Sequence, residues 1–186
     1  SERTYQYSLD ELSERYEAEI TEKKKGARWE VIRLKAMRRD FPELFAMKLR
    51  KIRPIHIEQW ATEREKAVKG STVNRDMTLL SAMFQQGRRW EWCETSPTTL
   101  AKKPSDPPPR DRRVTEMEAA LICAALGYSE SEPVTQVSHR VAVAFLLCIE
   151  TAMRRGEISQ ITESDIDLKN RVITLRAEIT KANASR

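Results

Sequence analysis

The stretch Lys102-Lys103-Pro104-Ser105-Asp106-Pro107-Pro108-Pro109-Arg110-Asp111-Arg112-Arg113 constrains this chain more than any other. Four prolines in twelve positions remove backbone donors and fix φ, so neither a helix nor a central strand can run through it. The conformation left is an extended, stiff connector with basic residues at both ends. A chain of 186 residues can form one large domain or two small ones, and a rod near its middle decides for two. The expected boundaries are a helical domain over 1–103, a linker over 104–113 and a second domain over 114–186.

Helical spacing dominates the first part. Ser8 with Glu11 has the pattern of a capping box, and Leu9, Leu12, Tyr16 and Ile20 follow at three- and four-residue steps. The run Lys23-Lys24-Lys25-Gly26 ends that helix. A second helix is predicted over Ala27 to Arg39, with Trp29, Ile32 and Ala36 inward. Pro54 suits the first turn of a third helix, carrying Ile57, Trp60, Ala61 and Arg64, and Gly70 is expected to break it. Ser71 is then placed as the cap of a fourth helix with the apolar stripe Val73, Met77, Leu80 and Phe84. Helical signals fade at Trp90, Trp92 and Pro97.

Beyond the connector, Thr115 with Glu118 opens a helix through Leu126, and Val141–Glu150 reads as a buried helix. Its apolar run is far shorter than the roughly 18 residues that cross a bilayer, so no membrane partner is expected. A short helix is predicted from about Arg154 to Gln160. After Asp165 and Asp167 the period changes to two: Ile173, Leu175, Ala177 and Ile179 alternate with polar residues, which argues a strand or the start of a hairpin. Cys93, Cys123 and Cys148 are too few and too scattered for a disulfide framework or a CxxC metal site. They fit buried thiols in a reducing cytoplasm. The chain opens Ser-Glu-Arg with no Met and no signal-peptide pattern, as a piece of a longer protein would.

Charge is unevenly spread. Residues 1–22 carry a net −5, residues 104–186 a net −1, and residues 23–103 hold 20 Lys/Arg against 9 Asp/Glu, a net +11. Such a concentration attracts polyanions. A solvated basic face with no ligand would look the same in composition.

The segment that carries chemistry is Thr151-Ala152-Met153-Arg154-Arg155-Gly156-Glu157-Ile158. It resembles the first arginine box of the tyrosine recombinases, Thr-Gly-(Leu/Met)-Arg-x-x-Glu-(Leu/Ile). Upstream, Ser71-Thr72-Val73-Asn74-Arg75, Leu80 to Phe84 and Trp90-Glu91-Trp92 are similar to that family's core-binding domain. Downstream, Thr180-Lys181 resembles the hairpin that presents its catalytic lysine. These matches stand in the family's order, with a linker where one belongs.

The resemblance implies a mainly α fold: a helical, SAM-like core-binding domain, then a truncated α+β catalytic domain with a short β-hairpin. It implies double-stranded DNA as partner, a tetramer on two DNA sites for the intact protein, and strand exchange through a 3′-phosphotyrosyl link that needs neither metal nor nucleotide cofactor. Arg154 matches the first catalytic arginine, with Arg155 the runner-up, and Lys181 matches the lysine that protonates the leaving 5′-oxygen. A planar guanidinium suits the charge that builds on phosphate oxygens during attack. Glu157 is expected to orient the site.

Candidate DNA contacts in the basic half are Lys35, Arg38, Arg39, Thr72, Asn74, Arg75, Arg88 and Arg89. In two respects the sequence departs from the pattern. Ala152 stands where the family has Gly, and the family's later His-x-x-Arg and nucleophilic Tyr have no counterpart, so this chain alone is expected not to cut DNA. Other readings of the residues are a non-catalytic DNA-binding regulator and a helical protein-interaction module.

With about +11 in residues 23–103, affinity for duplex DNA should fall steeply with salt. The double substitution Arg75→Ala with Arg89→Ala should weaken binding and flatten that slope. A salt titration by fluorescence anisotropy checks both.

Overall fold

The computed structural model describes residues 6–109, 111–180 and 184–185. The chain falls into two compact units, divided between residues 109 and 110, inside the proline-rich segment.

The first unit begins with α1 (Leu9–Glu19), set by the Ser8 capping box: the Glu11 amide donates to Ser8 Oγ at 3.2 Å and the Ser8 amide to Glu11 Oε2 at 2.6 Å. Donation from the Ser8 backbone amide, and next from the Ser8 hydroxyl, holds the Glu11 carboxyl below its ordinary range. Then come α2 (Ala27–Asp40), α3 (Pro42–Ala46), α4 (Pro54–Glu65) and α5 (Gly70–Arg89). Leu9, Leu12 and Tyr16 meet Ile57, Trp60 and the predicted stripe Val73, Met77, Leu80 and Phe84 in one buried cluster. Gly87 lets α1 approach α5: a Cβ there would lie 3.0 Å from Leu12 Cδ1 and 3.2 Å from Cys93 Sγ. Tyr7 stacks on Trp92 with centroids 3.7 Å apart, and the Arg15 guanidinium lies over Trp90 and Trp92.

Several expectations for this unit are corrected. In α2 the buried side chains are Leu34 and Met37, whereas Trp29 is 69% exposed, Ile32 is 45% exposed and Ala36 is half-buried. An ionic cluster ties α2 to α4 and α5. Arg33 and Arg64 both donate to the carboxylate of Asp76, which is 1% exposed, and Arg64 also reaches Asp40 Oδ2 at 3.4 Å. Arg33 lies midway between the buried side of α2, with Leu34 and Met37, and the exposed side, with Trp29 and Ile32. Gly70 does not break a helix but begins α5, with Lys69 as the cap residue, so Ser71 lies within the first turn. The short helix α3 answers to Pro42 at its first position.

In the second unit Thr115 and Glu118 cap α6 (Glu116–Ala125) as predicted. The helix ends with Gly127 at φ +69°, its amide bonded to the Ala124 carbonyl at 3.0 Å. Helix α7 (Val137–Thr151) is followed by α8 (Arg155–Ile158), then strands β1 (Ile166–Asp167) and β2 (Val172–Ile173). The strands pair antiparallel, Ile166 opposite Ile173 and Asp167 opposite Val172.

The strand expected over 173–179 therefore shrinks to two residues, and Ala177–Ile179 is a 3₁₀ turn. Leu175 is buried although it lies outside the ladder. The alternation persists as burial, with Ile173, Ala177 and Ile179 half-buried, but without a paired edge beyond Ile173. Among the described residues no helix is long and apolar enough to cross a membrane. Cys93, Cys123 and Cys148 are free thiols, the first two buried.

Asp76→Ala should destabilise the first unit by roughly 2–3 kcal/mol, near the lower end for a broken buried pair because Arg33 and Arg64 retain some access to water. Urea unfolding followed by tryptophan fluorescence measures it. Arg33→Ala, which leaves Arg64 on the carboxylate, should cost less.

Candidate nucleic-acid interface and catalytic arginine

In the first unit, α2 and α5 divide the predicted basic contacts into exposed and committed residues. Lys35 and Arg39 are exposed on α2, Arg39 with its Nε 2.7 Å from Asp40 Oδ1. Arg38 points elsewhere: its guanidinium donates to Ser13 Oγ at 2.8 Å and Glu17 Oε2 at 3.1 Å, tying α2 to α1. On α5, Arg75, Arg88 and Arg89 are exposed and Thr72 is half-buried. Arg75 and Arg89 stand nearly four turns apart on one face, whereas Arg88 is rotated about 100° from Arg89.

Asn74 is engaged by the connector. Its Nδ2 donates to the Pro104 carbonyl and to Asp106 Oδ1, both at 2.9 Å. The Lys102 amide donates to Glu58 Oε1 at 2.8 Å, so the start of the linker lies against α4 and α5. Arg38 and Asn74 are thus held by this unit's own contacts. Lys35, Arg39, Arg75, Arg88 and Arg89 are presented to solvent. A groove of about 460 Å³ runs between the two helices, lined by Trp29, Arg33, Arg75, Thr78 and Ala82 among others.

In the second unit, α7 ends at Ala152 in the left-handed region, φ +53° and ψ +20°. The chain reverses there, and Arg154 becomes the cap residue of α8. Glu157, 2% exposed, holds Arg154 at two points: Oε2 accepts the Arg154 backbone amide at 2.8 Å and Oε1 accepts Nη1 at 3.0 Å. The Arg154 side chain remains 60% exposed. A buried carboxylate thus fixes the arginine's base while the rest of the guanidinium stays open to a ligand. Arg155 and Gly156 are exposed at the start of the helix. Lys181 lies outside the described residues.

Beside this turn the sequence reading missed a second ionic pair. Asp165, 6% exposed, accepts the Thr162 amide at 2.9 Å and its hydroxyl at 2.8 Å, and Arg176 Nε lies 2.9 Å from Oδ1. These contacts, the Thr162 backbone bond first, hold the Asp165 carboxyl below its ordinary range. Arg176 also donates to the Gln160 carbonyl at 2.9 Å, which locks β2's exit against the loop after α8. The spacing Thr162-x-x-Asp165 is itself a capping signal that could have found it.

No family model matches the chain. Curated relatives do. A Haemophilus influenzae protein described as an integrase/recombinase is 36% identical over 181 residues, covering 96% of this chain and 48% of its own length. The shufflon-specific DNA recombinase of Escherichia coli is 29% identical over 182 residues, 94% of this chain and 45% of its own. Among solved structures, a lambda integrase dimer bound to a COC′ core site superposes with a TM-score of 0.72 at 20% identity, covering 97% of this chain and 48% of that one. The mainly α fold with a short hairpin is that of the lambda integrase. The chain spans about half the length of the relatives it matches.

A residue with a Cβ pays for φ near +53°, and glycine does not. Ala152→Gly should therefore stabilise the α7–α8 turn by about 0.5–1 kcal/mol, glycine's greater freedom in the unfolded chain offsetting part of the gain. Slower amide hydrogen exchange at Glu157 and Ile158 measures it. Ala152→Val should speed that exchange.

Proposed function

Because this chain belongs to the tyrosine recombinase (integrase) family, we propose that it supplies the DNA-gripping helical domain and the arginine-bearing first part of the catalytic domain of a site-specific recombinase. Residues 1–103 form the first, 104–113 the linker and 114–186 the second. The observation that carries this reading is the Arg154–Glu157 pair, a buried carboxylate aiming a mostly exposed guanidinium.

In the whole protein a tyrosine oxygen attacks the scissile phosphorus, forming a 3′-phosphotyrosyl bond and releasing a 5′-oxygen. Negative charge grows on the non-bridging oxygens during that attack. Arg154 can donate from the guanidinium face that Glu157 leaves open. The 5′-oxygen takes a proton as it leaves, and Lys181 is the group proposed to give it. The covalent link conserves the energy of the broken phosphodiester, so the chemistry calls for neither metal nor nucleotide. The DNA contacts proposed for the helical domain are Lys35, Arg39, Arg75, Arg88 and Arg89 from exposed positions, with Thr72 at the first turn of α5. Arg38 and Asn74 would join them only by giving up the contacts described above. Phosphate contacts of this kind set register, and base contacts set the site. The working assembly is a tetramer on two duplex sites in the cytoplasm, on DNA of a phage or another mobile element.

In the full-length recombinase, Arg154→Ala should lower the rate of covalent protein–DNA complex formation by at least about 10²–10³ while leaving the footprint on DNA intact. Arg155→Ala should lose much less. On a substrate with sulfur at the bridging 5′ position, Lys181→Ala should regain most of its rate and Arg154→Ala should not, because a thiolate leaves without a proton. Normal cleavage by Arg154→Ala would remove the assignment.

A further inference from the structure

We propose that Trp29 and Ile32 are base-reading residues, making apolar contacts with thymine methyl groups in the major groove; this rests on the DNA-binding reading given above. Trp29 is 69% exposed and Ile32 is 45% exposed, although both are large and apolar. Neither is placed at random. Arg28, Ile32, Lys35 and Arg39 follow one another at three- and four-residue steps along the exposed face of α2, and Trp29 stands beside Arg28 at its start. The same Trp29 lines the groove that Arg75 and Thr78 enter from α5.

A protein partner would have to meet this surface with apolar groups ringed by carboxylates. Duplex DNA offers both complements at once. Phosphates flank the groove for Arg28, Lys35, Arg39 and Arg75, and the C5-methyl of thymine is the one apolar group on the major-groove edge. An α-helix such as α2 is about 10–12 Å across with its side chains, a size that the major groove, about 12 Å wide, admits. The charge of the face selects a polyanion, and the two apolar side chains select a feature of the bases rather than of the backbone. The ion pairs of Arg33 and Arg64 with Asp76 tie α2 to α4 and α5 beside this face.

The test uses the 186-residue chain and a randomised duplex pool. Bound sequences are enriched, and the enriched duplex is synthesised with thymine or with deoxyuridine, which lacks the methyl. The wild type should prefer the thymine duplex by about fourfold for each methyl contacted. Trp29→Ala and Ile32→Ala should each lose part of that preference, keep the steep salt dependence, and show an unchanged circular dichroism spectrum. Equal binding of both duplexes by the wild type, with salt-dependent affinity intact, overturns the assignment and spares the DNA-binding reading. A uniform loss on both duplexes in Trp29→Ala places the residue on the backbone and also overturns it. Absence of salt-dependent duplex binding removes both.

Discussion

A carboxylate taken out of water must be surrounded by donors, and Asp76 is such a group, 1% exposed in the middle of α5. Arg33 from α2 and Arg64 from α4 meet it, and Arg64 extends the cluster to Asp40 at the end of α2. Apolar packing around Leu34, Met37, Ile57 and Met77 could tolerate small rotations of these helices, since hydrophobic contact has little direction. The arginine forks cannot tolerate them. The ionic cluster therefore limits how far these helices can turn. It also lowers the number of basic residues free to meet a ligand: of the 20 Lys/Arg of residues 23–103, Arg33 and Arg64 are committed to it, and Arg38 is held separately by Asp10 and Glu17 of α1.

This distinction explains which parts of the fold were legible in the sequence. The boxes at Ser8/Glu11 and Thr115/Glu118 are local, three residues across, and the structure has both. The stripe Val73, Met77, Leu80 and Phe84 has no competing apolar face on α5 and is buried. On α2 two stripes compete, Trp29/Ile32/Ala36 and Leu34/Met37, and both satisfy helical periodicity. What chooses between them is which side meets the cluster built by α1, α3, α4 and α5, where Leu34 and Met37 pack. No window over α2 contains that information. The lost strand has a related cause. Alternation at Ile173, Leu175 and Ile179 signals a pleated surface only when a second strand supplies partners, and among the described residues β1 offers two.

The candidate site was legible where it is a motif and opaque where it is a conformation. Arg154 and Glu157 were singled out by the resemblance of Thr151–Ile158 to the family's arginine box, and the one-turn separation brings them together in space. The linker's hold on Asn74 was not readable, because proline-rich composition predicts stiffness and says nothing about what the segment lies against. The family likeness, extending over 96% of the chain in one relative, carried more of the functional reading than charge could.

The turn at Ala152 shows how the site divides its rigidity. Helix α7 is long and apolar, and it delivers the chain to a single left-handed residue before Arg154 caps α8. A methyl at that φ makes the turn less stable than glycine would, so its shape must be maintained from the far side. Glu157 does this by accepting the Arg154 backbone amide, and it uses its other oxygen on the guanidinium. One buried carboxylate thereby sets both where the arginine starts and where it points. Only one of the guanidinium's five N–H donors is used in that bond. The strained turn and the unspent donors have the same owner, so loss of Glu157 would do more than remove an ion pair. It would release the Arg154 backbone amide and its side chain together, and with them the support on the far side of the Ala152 turn.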